Sequence, residues 1–335
     1  ENSCYPPLAR IRDVKRGYSE TYYSGGYSEE YILASGDLLV GMDGEFNIAR
    51  WKCDGALLNQ RVCRLLAKKG TNEEYLRFAM MKVLKEIERR TAFVTVKHLS
   101  AKELNKLQLV VPDLSTQNKV AEILSRLEKI IGLRRQELKR LDDLIKARFV
   151  EMFGDPILNP KGWEMVAVGD IVTDVRYGTS KPAVEGGKYP YLRMNNLTSD
   201  GHLDLKDLKY IDISDDEIEK CVVRKGDVLF NRTNSIELVG KTAVFDLPED
   251  MVIAGYIIRV RLNEKLLPEI FSQYMNLEAI KSILRGMAKG AVNQANINAQ
   301  ELQSIKVYIP SMELQNQFVE MKEQVDKSKF INQLL

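Results

Sequence analysis

One uninterrupted helical stripe runs through residues 115–153, and no other stretch limits the fold so tightly. Val120, Ile123, Leu124, Leu127, Ile130, Ile131, Leu138, Leu141, Leu144 and Ile145 fall at helical spacing on one face. Glu122, Arg126, Lys129, Arg134, Arg135, Lys139, Arg140, Asp142 and Asp143 fill the other faces. Ser115 is placed to cap the start, and Gly154-Asp155-Pro156 stops the helix. At 1.5 Å per residue such a helix spans roughly 55–60 Å, more than one globular domain needs. It can be a solvent-washed amphipathic helix on a core, or one arm of a coiled coil that holds two bodies apart. The persistence of the stripe favours the arm.

The pattern restarts near the other end, in 311–335, through Phe318, Met321, Val325, Ile331 and Leu335. This points to an internal repeat. The segment Val94-Thr95-Val96-Lys97-His98-Leu99-Ser100-Ala101-Lys102-Glu103-Leu104 aligns with Val292-Asn293-Gln294-Ala295-Asn296-Ile297-Asn298-Ala299-Gln300-Glu301-Leu302. At the same offset, Leu107-Gln108-Leu109-Val110-Val111-Pro112 matches Ile305-Lys306-Val307-Tyr308-Ile309-Pro310, and Gln117-Asn118 matches Gln315-Asn316. Earlier in each half, Ser35-Gly36-Asp37-Leu38-Leu39 matches Lys225-Gly226-Asp227-Val228-Leu229. Each half therefore reads as a strand-rich body, a closing strand ending in Pro, and a long helix. Short strand-like runs lie at 37–40, 227–230, 242–245 and 256–260, and helical patches at 73–89 and 268–284. The stretch 163–188 has no counterpart in the first half. The chain opens on Glu1 without Met, and its last stripe stops in mid-pattern, so the natural polypeptide is expected to continue at both ends.

The implied fold class is α+β with a pseudo-two-fold internal repeat. Its segments are a first β-rich domain at 1–112, a central helix at 113–155, a second β-rich domain at 156–310 and a terminal helix at 311–335. Two domains also suit 335 residues. With 44% hydrophobic and 29% charged residues the chain is globular rather than disordered. No apolar run is long enough for a membrane helix, and no secretory leader is visible. Cys4, Cys53, Cys63 and Cys221 are scattered and the histidines are only His98 and His202, so no zinc-ligand cluster forms. That cysteine usage favours a reduced, cytoplasmic setting. A net charge of +2 neither demands nor excludes a nucleic-acid partner, because a basic face can be offset elsewhere.

Catalytic lookalikes fail on their surroundings. Ser235-Ile236-Glu237-Leu238-Val239-Gly240-Lys241-Thr242 imitates a phosphate loop, but the motif needs Gly at 235 and a helix after it, where Ala243-Val244-Phe245 reads as strand. Pro112-Asp113 with Glu137-Leu138-Lys139 imitates a nuclease pattern whose carboxylates would have to converge on one metal, yet the second element lies far along the helix. Tyr5-Pro6-Pro7-Leu8 lacks the Asn or Asp of an amino-methyltransferase motif. Neither His98 nor His202 stands near a nucleophile motif. No catalytic residue, metal ligand or cofactor is expected in this chain.

What remains is a set of polar, basic, Gly-rich loops at matching places in the two bodies. The first offers Asp43, Glu45 and Asn47, then Arg50 and Lys52, with Arg89 and Arg90 further on. The second offers Asn231, Arg232, Thr233, Asn234 and Ser235, then Lys241. Its other loops carry Tyr177, Thr179, Ser180 and Lys181, then Arg193 and Asn195, and finally Lys289 and Asn293. These residue types suit DNA: Arg reads guanine, Asn and Gln read adenine, Asp or Glu accepts from cytosine, and Lys, Ser and Thr hold phosphates. Any one such loop alone is more simply a solvated turn. Their recurrence at equivalent places reverses that preference.

The chain resembles, over essentially its whole length, the specificity (S) subunits of type I restriction-modification systems. The resemblance is carried by Lys225-Gly226-Asp227-Val228-Leu229-Phe230-Asn231-Arg232-Thr233-Asn234-Ser235 through Val239-Gly240-Lys241-Thr242-Ala243, by Leu57-Leu58-Asn59-Gln60-Arg61-Val62, and by Asn159-Pro160-Lys161-Gly162-Trp163-Glu164. It implies two target-recognition domains, each reading one half of a split duplex DNA sequence. It also implies two long helices pairing as an antiparallel coiled coil, through Val120, Ile123, Leu127, Ile130, Leu138, Leu141 and Ile145 on one and Phe318, Met321 and Val325 on the other. The helices would set the spacing and dock two methyltransferase (M) subunits, with restriction (R) subunits joining for cleavage. S-adenosylmethionine, ATP and Mg would then belong to those partners. Two alternatives stay open: the recognition portion of a fused methyltransferase-nuclease, and a coiled-coil scaffold with no DNA role.

Overall fold

The computed structural model describes residues 5–44, 46–90, 99–291 and 294–334. The chain divides into two compact units, Glu1–Leu133 and Arg134–Leu335. The division falls inside the long helix Leu114–Phe153 because each half of that helix packs on its own unit. The helix begins one residue before the expected cap. Asp113, not Ser115, closes its first turn, accepting from the Thr116 amide at 3.0 Å and the Thr116 hydroxyl at 2.7 Å. At the far end Gly154 adopts φ 88°, and its amide donates to the Val150 carbonyl at 2.8 Å.

In the first unit, Leu38–Gly41 is buried along its whole length and pairs antiparallel with Ile48–Arg50 and Val62–Leu65. A continuous apolar run is what a strand covered on both faces requires. Ala56–Leu58 sits between Leu8–Ala9, parallel to it, and Ile32–Leu33, antiparallel. Ala9, Val14, Leu33, Leu39, Trp51, Ala56 and Val62 form one core. Val40, Phe46, Met80, Leu84 and Leu99 form a second, beneath the helix Glu73–Arg90. That helix carries acidic residues in its first turn and Arg89 and Arg90 in its last, matching its dipole.

The second unit repeats and extends this plan. A four-stranded antiparallel sheet runs in the order Thr242–Val244, Val228–Asn231, Ile257–Leu262, Val172–Tyr177. A second sheet joins Lys209–Ile211, Tyr189–Leu192, Met251–Ile253 and Val222–Val223. The helical patch expected at 268–284 is two helices, Pro268–Met275 and Glu278–Met287, broken at Asn276. The Asn276 side-chain Nδ2 donates to the Thr242 and Ser272 carbonyls, at 2.6 and 3.0 Å. The closing strand Lys306–Ile309 pairs with Glu164–Ala167, and the helix Met312–Leu334 follows Pro310.

The two bodies share a turn bond for bond. Gly36 and Gly226 have φ of 99° and 93°. The carboxylates of Asp37 and Asp227 each accept from the amide three residues earlier, that of Ala34 and that of Arg224, at 2.9 Å. The Gly36 and Gly226 amides donate to the carbonyls of Trp51 and Phe245 at 2.8 Å, and those two residues donate back to the Asp carbonyls at 2.8 Å. One difference stands out. Ile257–Leu262 is covered on its outer edge by Val172–Tyr177, whereas the equivalent Val62–Leu65 ends its sheet among the described residues.

Candidate nucleic-acid interface

In the second body the strand Val228–Asn231 runs straight into the polar loop. The Arg232 amide donates to the Tyr256 carbonyl at 2.9 Å, and the Arg232 carbonyl accepts from the Ile297 amide at 2.9 Å. The guanidinium lies 4.8 Å from the Tyr177 ring centroid and donates to the Gly255 carbonyl at 3.3 Å. Its buried Nε has no partner among the described residues. Asn234 donates to the Asn231 carboxamide at 2.8 Å and accepts from the Ser235 amide at 2.9 Å.

Three residues expected at the interface turn inward instead. Asn231 is fully buried and donates to the Thr233 and Tyr256 carbonyls, both at 3.1 Å. The Thr233 hydroxyl donates to the Asn296 side chain at 2.9 Å. Lys241 is buried, and its ammonium donates to the Met194 carbonyl at 2.8 Å and to the Leu197 carbonyl. Burial drives its pKa below the ordinary lysine value. These side chains shape the loops that carry Arg232, Asn234 and Asn195.

The remaining loops of this body stay near the surface. Tyr177 is exposed, and its hydroxyl accepts from the Ala299 amide at 2.8 Å. Thr179 is half-buried, while Ser180 and Lys181 are exposed, Lys181 pairing with Glu217. Arg193 pairs with Asp207 at 2.8 Å beside the exposed Asn195, and Lys289 with Glu301 at 2.5 Å. Asn293 lies outside the described residues, as does Glu45. The strand Thr242–Val244 follows Lys241 directly, so no helix stands where a phosphate loop needs one.

The first body puts the same backbone to different use. The Met42 amide donates to the Arg61 carbonyl at 3.0 Å, and the Met42 carbonyl accepts from the Leu99 amide at 2.7 Å. Met42 therefore stands where Arg232 stands in the second body. Beside it, Asp43 pairs with Arg61 at 3.3 Å, and the Asn47 carbonyl accepts from the Gly41 amide at 2.8 Å. Arg50 turns toward the helix Glu73–Arg90 and pairs with Glu73 at 3.1 Å and with Glu74. Lys52, Arg89 and Arg90 are exposed.

On the long helix, Val120 is half-buried and Ile123, Leu127 and Ile130 are exposed. Leu138 and Leu141 are half-buried and Ile145 is buried. Phe318 is fully buried, its ring 5.1 Å from Phe149 and 5.6 Å from Phe153, and Met321 and Val325 pack against the same core. Lys329 pairs with Asp142 at 2.7 Å.

Two features escaped the sequence reading. Tyr256, 51% exposed, flanks Arg232 only because the turn between Met251–Ile253 and Ile257–Leu262 brings it there. An aromatic in a Gly-flanked turn was the available signal. In the first body a cleft of about 850 Å³ is lined by Tyr23, Tyr27, Tyr31, Met42, Asn59 and Gln60. It borders the edge that Val172–Tyr177 covers in the second body.

The family described as type I restriction modification DNA specificity domain matches residues 7–143 and 160–335. The EcoBI type I restriction enzyme specificity subunit of Escherichia coli is 28% identical over 349 residues, spanning 95% of this chain and 73% of that protein. The crystal structure of a type I restriction-modification S subunit from M. genitalium superposes with a TM-score of 0.54 at 14% identity, over 98% of this chain and 83% of that one. A chain from a study of complex assembly and conformational transition of the type I R-M system gives 0.53 at 19% identity, over 99% and 87%. At these identities the two structures speak to the fold.

Proposed function

The chain belongs to the type I restriction-modification DNA specificity family, and from that premise we propose that each of its two bodies reads one half of a gapped duplex sequence. It is a DNA sequence-recognition subunit. The observation that carries the division of labour is the shared loop address. Met42 and Arg232 hang from the same pair of backbone hydrogen bonds, and each begins a loop with different chemistry. A common scaffold with unlike tips is what two readers of unlike half-sites require.

In this reading the helices Leu114–Phe153 and Met312–Leu334 pair antiparallel, a direction favoured by Phe318 lying against Phe149 and Phe153 while Lys329 meets Asp142. The pair sets the gap between the two half-sites that the bodies read, one turn of B-DNA being roughly 34–36 Å. The subunit performs no chemistry. Two methyltransferase (M) subunits dock on it and methylate adenine with S-adenosylmethionine, and restriction (R) subunits bring ATP- and Mg-dependent cleavage. The assembly works in the cytoplasm. No helix among the described residues is long and apolar enough to cross a membrane.

Arg232→Ala and Asn234→Ala test this in the assembled methyltransferase. Base discrimination should weaken by about 1–3 kcal/mol in the second half-site and stay unchanged in the first. Uniform loss across all sequences would make both residues phosphate contacts and contradict the assignment.

A further inference from the structure

The first body is tied to the long helix by a chain of charges that no loop motif announces. Arg77 on the helix Glu73–Arg90 is buried, with only 8% of its surface exposed. Its two terminal nitrogens grip Glu128 of the long helix as a fork, at 3.1 and 2.6 Å. Its Nε donates to Glu74 at 2.7 Å, and the guanidinium lies 4.1 Å from the Phe78 ring centroid. The other oxygen of Glu74 accepts from Arg50, whose Nη1 reaches the Gly36 carbonyl at 2.7 Å. An unbroken relay thus runs Glu128–Arg77–Glu74–Arg50–Gly36. It joins the spacer helix to the Gly-Asp turn at the root of the strand Leu38–Gly41. Burial alone would raise the Glu74 carboxyl, but hydrogen bonds from Arg50 and Arg77 hold it below its ordinary value.

The second body meets its helices through a different chemistry. There the junction is aromatic: Phe149, Phe153, Tyr308 and Phe318 are all fully buried and stack on one another. A packed aromatic junction has few alternative arrangements. A single bidentate ion pair can be broken by removing one carboxylate, leaving both helices and the core of Met80 and Leu84 in place.

We infer that Arg77 and Glu128 form a spacing clamp: a positioning pair that fixes the angle of the first body on its helix and so restricts the length of DNA tolerated between the half-sites. The inference rests on the gapped-target reading above. Arg50, assigned from the sequence to DNA, then serves the clamp. The clamp touches no base, so it governs the gap and leaves the letters alone.

The test uses the assembled methyltransferase and duplexes whose spacer is of cognate length, one base pair shorter or one longer. Methylation rates give a cognate-to-altered ratio. Glu128→Ala should lower that ratio about tenfold while leaving the penalty for each single-base change in either half-site as in the wild type. Arg77→Met should do the same. Glu122→Ala, which removes an exposed carboxylate paired with Arg126 on the same helix, should change neither quantity. Loss of stability alone would lower all rates together and leave the ratio intact. A strict wild type with equally strict Glu128→Ala and Arg77→Met variants overturns the clamp alone. A wild type indifferent to spacer length overturns the gapped reading and the clamp with it.

Discussion

Gln117 and Gln315 make the same three hydrogen bonds, one residue in each unit. The Gln117 carboxamide accepts from the Asn72 amide at 2.8 Å and donates to the Gly70 and Pro112 carbonyls at 3.2 and 2.8 Å. Gln315 accepts from the Leu267 amide at 2.9 Å and donates to the Lys265 and Pro310 carbonyls, both at 3.0 Å. Both side chains are buried, at 1% and 0% exposure. Each stitches the closing proline, the start of the long helix that follows it and the entry to the preceding helix into one joint. Alanine at either position strands three backbone groups, and each substitution should cost about 2–3 kcal/mol. Urea unfolding of the two single variants should give similar losses. A loss at only one would deny the equivalence of the joints.

Asp174 and Arg259 form an enclosed ion pair between the strands Val172–Tyr177 and Ile257–Leu262 of the antiparallel sheet. Arg259 is 2% exposed, and its Nη2 meets the Asp174 carboxylate at 2.6 Å. Burial would raise the Asp174 carboxyl, but hydrogen bonds from Arg259 and Arg176 outweigh it and hold the pKa below its ordinary value. A depressed folded value means that the pair stabilises above the unfolded pKa, and that this contribution fades as pH falls below roughly 4. Asp174→Asn should therefore cost about 2–3 kcal/mol at pH 7. It should cost progressively less in acid, as read by unfolding at pH 7 and pH 3. An equal cost at both pH values would contradict the charge assignment.

At Lys281 the fold disfavours the charged form instead of holding it. Its ammonium is buried and donates to the Gly240 carbonyl. Burial, then repulsion from Lys241 and Arg285, push its pKa down to about 7, with Glu278 opposing weakly. The unfolded chain keeps this proton up to about pH 10, so between the two values it binds more protons and stability rises with pH. Lys281→Met should stabilise the protein by about 1–3 kcal/mol at pH 7 and below. It should also flatten the rise between pH 7 and 10. A destabilised variant with an unchanged pH profile would show that the amine is not held in this way.

What could be read from the sequence was what repeats or has a period. The stripe of the long helix, the Gly-Asp turns and the strand closing at Pro310 are local patterns, and the structure places them as expected, whereas the matching segment 107–112 before Pro112, expected as a strand, pairs with no sheet among the described residues. The sites were less legible, because composition does not reveal direction. Lys241 and Asn231 read as members of polar loops, yet their side chains point at carbonyls inside the body. Asp113 outcompeted Ser115 as cap because a carboxylate two residues earlier reaches both groups of Thr116. Arg50 reads from the sequence as a DNA contact, and Glu74, Arg77 and Glu128 belong to no motif. Only the tertiary fold brings these residues, far apart in sequence, into one relay.

Genome-wide mapping of methylated adenines in cells with and without this gene tests the central claim most directly. The account predicts that methylation lost on deletion falls in one bipartite motif, two short defined half-sites separated by a spacer of fixed length and free sequence. A contiguous motif, or no methylation that depends on the gene, would contradict it.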